Sequence, residues 1–219
     1  PYVKIPKMLA AGYKPSGDWR GSKATIFEGG HRVPFLVRWP GKVKAGTTSD
    51  VTICTTDFFA TFAEILAALK SIPVNAAEDS FSFLSCLRGE KQAIRPFTIH
   101  HSIGGTFAIR KGDWKLIHWF GDWLDPRGST PDQTPYGKLV LGPRTELYNL
   151  RDDLGETRDL AVAQPAKTKE LRAALEAWWR DTGAGFPTRN PDFVEESWWL
   201  SQAAAAKAKT NTKTPTRSP

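Results

Sequence analysis

Residues 20–34, RGSKATIFEGGHRVP, are the stretch that decides how the rest of the chain is interpreted. The pair Gly29-Gly30 lies between an acidic and a basic residue, directly before an apolar segment. Glycines at such a point permit positive φ and a close approach of the backbone. Glu28 and Arg32 flank the pair, so we expect an ion pair between them that fixes the turn. Lys23 lies just upstream, near the edge of a predicted sheet, where anions are favoured.

The segment that follows predicts an α/β domain. Val33–Trp39 has the β-branched and aromatic content of a strand, and Pro40-Gly41 ends it. Asp57 is predicted to be the N-cap of a helix over Phe58–Leu69, which is apolar nearly all round and therefore expected to be buried. A strand that alternates with a buried helix is typical of α/β proteins. We therefore expect residues 1–96 to be the C-terminal end of an α/β domain.

The pattern changes after residue 96. Strands are predicted at Phe97–Ser102, on both sides of a turn at Lys111-Gly112-Asp113, and at Glu146–Leu150. A helix is predicted from Pro165 through Asp181, with an apolar face of Leu171, Leu175 and Trp178. The hairpin residues predicted to face the core are Phe107, Ile109, Trp114, Leu116 and Trp119. Consecutive strands closed by one amphipathic helix predict an α+β subdomain with an antiparallel sheet over residues 97–186.

The charge of the chain is concentrated at its C-terminal end. The formal net charge is +7, and the stretch after residue 202 contains four basic residues and no acidic ones. We interpret residues 187–219 as an extension and a disordered basic tail, in which Trp198-Trp199 are candidates for docking on the body. The tail lacks interleaved aromatic residues, which argues against nucleic-acid binding. No apolar run is long enough to span a bilayer.

Residues 23–34 resemble the second signature of the type I sulfatases, Lys-x-Thr-x-(Tyr/Phe)-Glu-Gly-Gly-x-Arg-x-Pro. Every fixed position of that signature agrees, namely Lys23, Thr25, Phe27, Glu28, Gly29, Gly30, Arg32 and Pro34. Further stretches resemble the family in the same order, at 56–61, 108–117, 146–150 and 153–157. The resemblance runs from about residue 18 to 181. Two positions depart from the family pattern, since Ala60 replaces a Pro and Ser80 a Gly.

The resemblance implies an alkaline-phosphatase-like sulfatase fold and hydrolysis of a sulfate monoester by the complete protein. It also implies a formylglycine nucleophile, made from the Cys or Ser of a Cys/Ser-x-Pro/Ala-x-Arg motif, and Ca²⁺ as the metal. Neither Cys54 nor Cys86 has that setting, and neither lies at metal-ligand spacing. We expect the nucleophile and the metal ligands upstream of Pro1, so this chain alone is predicted to be inactive. The family suggests export to the periplasm or the cell exterior.

The resemblance implies that Lys23 contacts the sulfate group as a catalytic and substrate-binding residue. Glu28, Gly29, Gly30 and Arg32 are interpreted as the structural part of the signature, and His31 as either structural or substrate-facing. His100 and His101 are adjacent on a predicted strand and should point to opposite faces, so at most one is expected to face a cleft. Our hypothesis is that one of them binds substrate, and the alternative is a packed sheet histidine.

The expected partner is a sulfate ester, with a sulfated polysaccharide as one candidate, while the oligomeric state is open. An alternative interpretation is a non-catalytic module that binds sulfated polymers through its basic and aromatic residues. Because the central sheet of the expected fold needs strands from outside this chain, residues 33–39 and the helix at 58–69 should expose apolar surface in isolation. We therefore predict poor solubility for the isolated chain.

Overall fold

The computed structural model describes Met8 and residues 11–23, 25–102, 105–119, 123–125, 138–140 and 143–184. All of these residues belong to one compact unit, which ends at Ala184. The predictions for the basic tail and for Trp198-Trp199 lie outside the described residues, and the predicted boundary between residues 96 and 97 stays a prediction.

Short helices precede a group of strands, and one long helix follows it. The helices are α1 (Glu28–His31), α2 (Asp57–Ile65), α3 (Leu84–Leu87) and α4 (Pro165–Thr182), with a 3-10 turn at Leu69–Ser71. The strands are β1 (Thr98–His101), β2 (Phe107–Lys111), β3 (Trp114–Trp119), β4 (Trp123–Asp125), β5 (Lys138–Val140) and β6 (Arg144–Asn149). An antiparallel sheet has the order β1-β2-β3-β6, and β4 pairs with β5. The structure is thus an α/β assembly that contains the predicted antiparallel sheet and amphipathic helix.

The hairpin of β2 and β3 follows the predicted turn. Lys111 pairs with Trp114, so the connection contains only Gly112 and Asp113. Gly112 has φ 59°, in the left-handed region that glycine adopts without steric cost. The carbonyl of Asp113 then accepts a 2.7 Å bond from the amide of Leu150, which ties the turn to the residue after β6.

Both faces of the four-stranded sheet are buried. On one face, apolar residues of β2, β3 and β6 pack against α4, and this cluster contains Phe107, Ile109, Leu116, Leu147, Leu171, Leu175 and Trp179. On the other face the sheet packs against the segment before α1, in a cluster of Ile26, Phe27, Ala108, Ile117, Trp119, Tyr148 and Leu150. The sheet therefore joins the N-terminal segment to the C-terminal helix through a shared core.

Trp119 is buried as predicted, but on the face opposite α4, because side chains alternate along β3 and Trp119 has the opposite parity to Leu116. One detail of the predicted core is corrected. On α4 the buried third position is Trp179, which continues the i, i+4 spacing from Leu171 and Leu175, and Trp178 is only partly buried. Gly183 ends the helix with φ 62°, as predicted.

The predicted strand at Val33–Trp39 is not formed. No strand of the described chain pairs with this segment, and Val33 and Leu36 are 67% and 89% exposed. Strand propensity reflects how well side chains fit a half-buried pleated surface. This segment has the composition of a strand but, in the part of the chain that the structure describes, lacks a neighbouring strand with which to pair. The apolar side chains of this segment are exposed, as predicted for the chain in isolation.

The predicted helix at 58–69 is α2, which is shorter and buried on one face only, at Asp57, Ala60 and Thr61. Phe59 and Phe62 are 54% and 56% exposed, as expected for this helix in isolation. Asp57 is the first helical residue rather than the N-cap. Its buried carboxylate accepts bonds from the amides of Cys54 (2.7 Å) and Phe81 (2.9 Å) and pairs with Arg95, so it fixes the loop before the helix.

The two departures from the family pattern contact each other. Ser80 Oγ accepts a 2.9 Å bond from the amide of Ala60 and donates a 2.7 Å bond to the carbonyl of Thr56. A proline at position 60 would have no amide hydrogen, and a glycine at position 80 would have no acceptor. The serine therefore satisfies the amide that the alanine introduces.

We expect Ser80→Gly to lower the free energy of unfolding by about 1 kcal/mol, because the Ala60 amide loses its partner. Ala60→Pro should cost about 1 kcal/mol less in the Ser80→Gly background than in the wild type, since no amide is then left unpaired. A double-mutant cycle by chemical denaturation measures this coupling. Strictly additive effects of the two changes would contradict it.

Candidate active site

The signature segment lies on the sheet face opposite α4. Ile26 and Phe27 insert into the core of that face, and Glu28 is fully buried. Arg20 anchors the start of the segment, since its guanidinium donates to Tyr148 Oη at 3.1 Å and to the carbonyl of Glu156 at 2.9 Å. These contacts fix both ends of the segment while Lys23, between them, is exposed.

The two glycines of the signature are required by crowding. A Cβ at Gly29 would lie 2.6 Å from the carbonyl oxygen of Gly21, and a Cβ at Gly30 would lie 2.1 Å from that of Thr25. Neither glycine has a positive φ, so of the two properties that glycine permits here, close approach of the backbone is the one that both positions use. The tight fold brings α1 directly against the chain that carries Lys23.

A buried lysine joins the signature to the sheet. Lys115, in the middle of β3, has a fully buried side chain, and its Nζ donates to Glu28 Oε1 at 3.0 Å and to the carbonyl of Ile26 at 2.8 Å. The same Nζ lies 2.8 Å from Glu156 Oε1. Glu156 Oε2 in turn accepts a 2.7 Å bond from the amide of Glu28. Two buried carboxylates and one ammonium therefore form a closed group.

Three further basic groups surround Glu28. Arg32 Nε donates to Glu28 Oε2 at 2.5 Å, Arg110 Nη1 lies 3.5 Å from the same oxygen, and His31 Nε2 lies 3.2 Å from Oε1. Burial alone would raise the pKa of Glu28, but His31, Lys115 and Arg32 together hold that pKa well below its ordinary value. The carboxylate is therefore ionised at neutral pH and acts only as an acceptor.

The second carboxylate of the group is shifted in the opposite direction. Burial raises the pKa of Glu156, and the attraction of Lys115 only partly opposes this. The Lys115 ammonium is thus shared between two carboxylates. Glu28 has several other cationic partners, whereas Lys115 is the principal counter-charge of Glu156. The ionised form of Glu156 depends on Lys115 more than that of Glu28 does.

The adjacent histidines of β1 lie on opposite faces of the sheet. His100 pairs with Ala108 and faces the signature, where its ring stacks on that of His31 with centroids 4.0 Å apart. His101 faces the side of α4, is exposed, and has its ring 4.5 Å from that of Phe107. Burial lowers the pKa of His100 well below its ordinary value, and His31 and Lys115 lower it further.

A cleft of about 1090 Å³ adjoins this group. Its lining includes His31, Arg32, Arg110, His100 and His101. Both adjacent histidines border the cleft, which corrects the expectation that at most one would, because β1 is an edge strand and the cleft wraps around it. The exposed Lys23 is not among the lining residues.

The members of the buried group that sequence reasoning missed are Lys115 and Glu156, and it also missed Arg110 beside them. The sequence did indicate that Lys115 lies on the same sheet face as the apolar Ile117, because the two are separated by two positions along a strand. That face is buried in the structure. Nothing local distinguishes Glu156, whose partner Glu28 is 128 positions away.

Within the described part of the chain, no group of three or more His, Cys, Asp or Glu side chains could hold a metal ion. Both Cys54 and Cys86 are free thiols, and burial raises the pKa of Cys54. No helix among the described residues has the length and apolar character to cross a membrane.

The amino-acid sequence of the chain is similar to those of known proteins. Residues 18–125 match the family model described as N-sulphoglucosamine sulphohydrolase, C-terminal. The chain is 33% identical over 168 residues to an N-acetylgalactosamine-6-O-sulfatase of Bacteroides thetaiotaomicron, covering 76% of this chain and 31% of the relative. It is 30% identical over 168 residues to human arylsulfatase A, covering 73% and 32%. The chain thus spans about a third of the length of these curated relatives.

The fold of the chain is also similar to that of solved structures. A Bacteroides thetaiotaomicron structure from work on the metabolism of multiple glycosaminoglycans superposes with a TM-score of 0.62 at 32% identity, over 80% of this chain and 34% of that one. The PsFucS1 sulfatase of Pseudoalteromonas sp. superposes with a TM-score of 0.57 at 22% identity, over 81% of this chain and 34% of that one, a likeness of fold. The described architecture is the one found in both.

Proposed function

The chain belongs to the sulfatase family and corresponds to the C-terminal part of such proteins, and from this premise we propose that the complete protein hydrolyses a sulfate monoester. The observation that supports the proposal is the signature itself. All of its fixed residues are present, and Glu28 at its centre is fully buried in a group of opposite charges. A segment held in this way presents a fixed backbone from which Lys23 extends.

Lys23 is the residue proposed to contact the sulfate group. Sulfate ester hydrolysis needs positive charge against the anionic oxygens as charge shifts toward the leaving oxygen. An ammonium is a compact charge with three donors, and its hydrogen bonds to sulfate oxygens are charge-assisted. Lys23 is exposed and makes no ion pair with the part of the chain that the structure describes, so its ammonium is available to a ligand.

Glu28, Gly29, Gly30 and Arg32 are proposed to shape the site rather than to react. The carboxylate of Glu28 is enclosed by Lys115, Arg32 and His31, and a buried carboxylate with these partners is not free to exchange a proton with substrate. The crowding at both glycines supports the same role. Their contribution is to hold the chain around Lys23.

We propose that the nucleophile and the metal ligands of the reaction come from a part of the protein outside this chain. Relatives of this family use formylglycine as the nucleophile and a divalent cation, here proposed to be Ca²⁺, to neutralise charge. The described residues do not fit either group, because neither cysteine lies in the required motif and no metal-ligand cluster is present among them. This chain is therefore proposed to contribute the sulfate-contacting lysine and part of the substrate cleft.

A sulfated sugar is the substrate class that we favour. The relative with 33% identity is an N-acetylgalactosamine-6-O-sulfatase, and the cleft beside the signature combines arginine, histidine and aromatic side chains. Arg32 and Arg110 provide positive charge, while Phe97 and Trp178 provide surfaces against which a sugar ring can pack. We also propose export, since the substrate would be an extracellular polymer.

The test uses the full-length protein and measures sulfate release from 6-O-sulfated N-acetylgalactosamine and from p-nitrophenyl sulfate. Release from either ester supports the hydrolase. Salt-sensitive binding of sulfated polysaccharide with no release from any ester would instead support the non-catalytic binding module.

Of the two adjacent histidines, His100 is proposed as the substrate contact. It lies on the sheet face of the signature and stacks on His31, whereas His101 lies on the face of α4. We expect His100→Ala to lower kcat/KM for the sulfated sugar about tenfold, a typical effect of losing one good substrate hydrogen bond. His101→Ala should change it less than about threefold. Equal activities of the two variants would contradict this assignment.

A further inference from the structure

The stacked imidazoles of His31 and His100 come from distant parts of the chain. His31 ends α1 within the signature, and His100 belongs to the edge strand β1. Their rings are nearly parallel, with centroids 4.0 Å apart and an interplanar angle of 22°. Both residues line the cleft. The contact therefore joins the segment that carries Lys23 to the residue proposed to contact the substrate.

The orientation of the His31 ring is set by Glu28. The ionised carboxylate of Glu28 can only accept, so His31 Nε2, at 3.2 Å, must carry the hydrogen. The other nitrogen, Nδ1, is buried and has no hydrogen-bond partner among the described residues. The bond to Glu28 is thus the polar contact that fixes the plane of His31, and through stacking it fixes the plane of His100.

The groups around His100 favour its uncharged form. On its own sheet face lie Lys115 and Arg110, and from α1 come His31 and the single negative group, Glu28. Ring nitrogen Nε2 of His100 lies 3.2 Å from Thr98 Oγ1. The nitrogen left for a ligand is Nδ1. A neutral imidazole at that place bonds well to an uncharged hydroxyl or amide, whereas its hydrogen bond to a sulfate oxygen would be weaker than that of a cation.

We propose that His31 is a positioning residue, which uses its bond to Glu28 to hold the His100 ring in the cleft, where His100 hydrogen-bonds an uncharged polar group of the substrate alcohol. This rests on the proposed sulfatase function and adds to it the kind of group that is recognised. A sugar hydroxyl or an N-acetyl amide fits this description. The aryl group of p-nitrophenyl sulfate has neither a hydroxyl nor an amide.

The test compares two substrates in the full-length enzyme. His31→Phe keeps a ring for stacking but loses the donor to Glu28. We expect kcat/KM for 6-O-sulfated N-acetylgalactosamine to fall about tenfold, with kcat/KM for p-nitrophenyl sulfate changed less than twofold. The double variant, His31→Phe with His100→Ala, should lose no more kcat/KM than His100→Ala alone, because both changes remove the same substrate contact.

Two outcomes overturn the proposal. Equal losses on both substrates would mean that His31 acts on the fold as a whole, and an additive double variant would mean that the two histidines act separately. A third readout does not need turnover. In a histidine NMR titration of the full-length protein, His31→Phe should raise the pKa of His100, since one neighbouring positive group is lost.

The same titration separates this proposal from the proposed function. If no ester is hydrolysed, the sulfatase assignment fails, and the titration still decides the coupling. An upward shift of the His100 titration in His31→Phe would then support the pairing of the two rings. An unchanged titration would overturn it.

Discussion

Lys115→Met is expected to destabilise the protein by about 3–5 kcal/mol, because it removes the ammonium between two buried carboxylates. Methionine preserves the length and the apolar stem of the side chain, so the loss is that of the charge. Glu28 would keep Arg32 and His31, but Glu156 would remain buried without its principal counter-charge. For a domain of this size the melting temperature should fall by roughly 10 °C in a calorimetric or fluorescence scan.

A matched control is available on the neighbouring strand. Lys111 pairs with Glu170 on the surface, where both side chains are about half exposed, and exposed ion pairs contribute little. Lys111→Met should therefore leave the melting temperature unchanged. Adding Glu156→Gln to Lys115→Met should recover part of the loss, since the unpaired buried charge is then gone. If Lys115→Met melts like the wild type, the buried group is not what holds the signature to the sheet.

Lys23→Ala is expected to lower kcat of the full-length enzyme roughly 10²–10³-fold, the usual cost of removing one group that stabilises charge in a transition state. The side chain is exposed and has no packing role in the described structure, so the melting temperature should be unaffected. Lys23→Arg should restore only part of kcat, because the planar guanidinium places its donors differently. The measurement is sulfate release under saturating substrate.

The control for Lys23 is another exposed lysine far from the signature in sequence. Lys70 lies in the 3-10 turn after α2, and Lys70→Ala should keep full activity. An enzyme that retains more than half of its kcat in Lys23→Ala would rule out the proposed sulfate contact.

The parts of the fold that were predictable are those decided by neighbours in sequence. The turn at Gly112, the helix from Pro165 and its end at Gly183 follow from local conformational preferences. The contact between Glu28 and Arg32 spans four residues, a spacing at which side chains meet on one turn of helix.

The parts that were not predictable depend on distant partners. Lys115 meets Glu28 from 87 positions away, and no periodicity records such a pairing. The segment Val33–Trp39 has strand composition, but a strand also needs a hydrogen-bonded neighbour, and none exists in the described chain. Trp119 is buried as predicted, but its sheet face could not be predicted, because the sheet is buried on both faces and alternation then no longer separates core from solvent.

The contacts of Arg20 and Glu28 with Glu156 also set an order of events during synthesis. The signature leaves the ribosome well before Glu156, and at about 5–20 residues per second the 128 positions between Glu28 and Glu156 take on the order of ten seconds to translate. Until then the Glu28 amide and the Lys115 ammonium lack their distal carboxylate. A polypeptide that terminates prematurely before residue 156 cannot complete the group, so assembly of the signature segment requires that the message has been translated at least through the codon of Glu156.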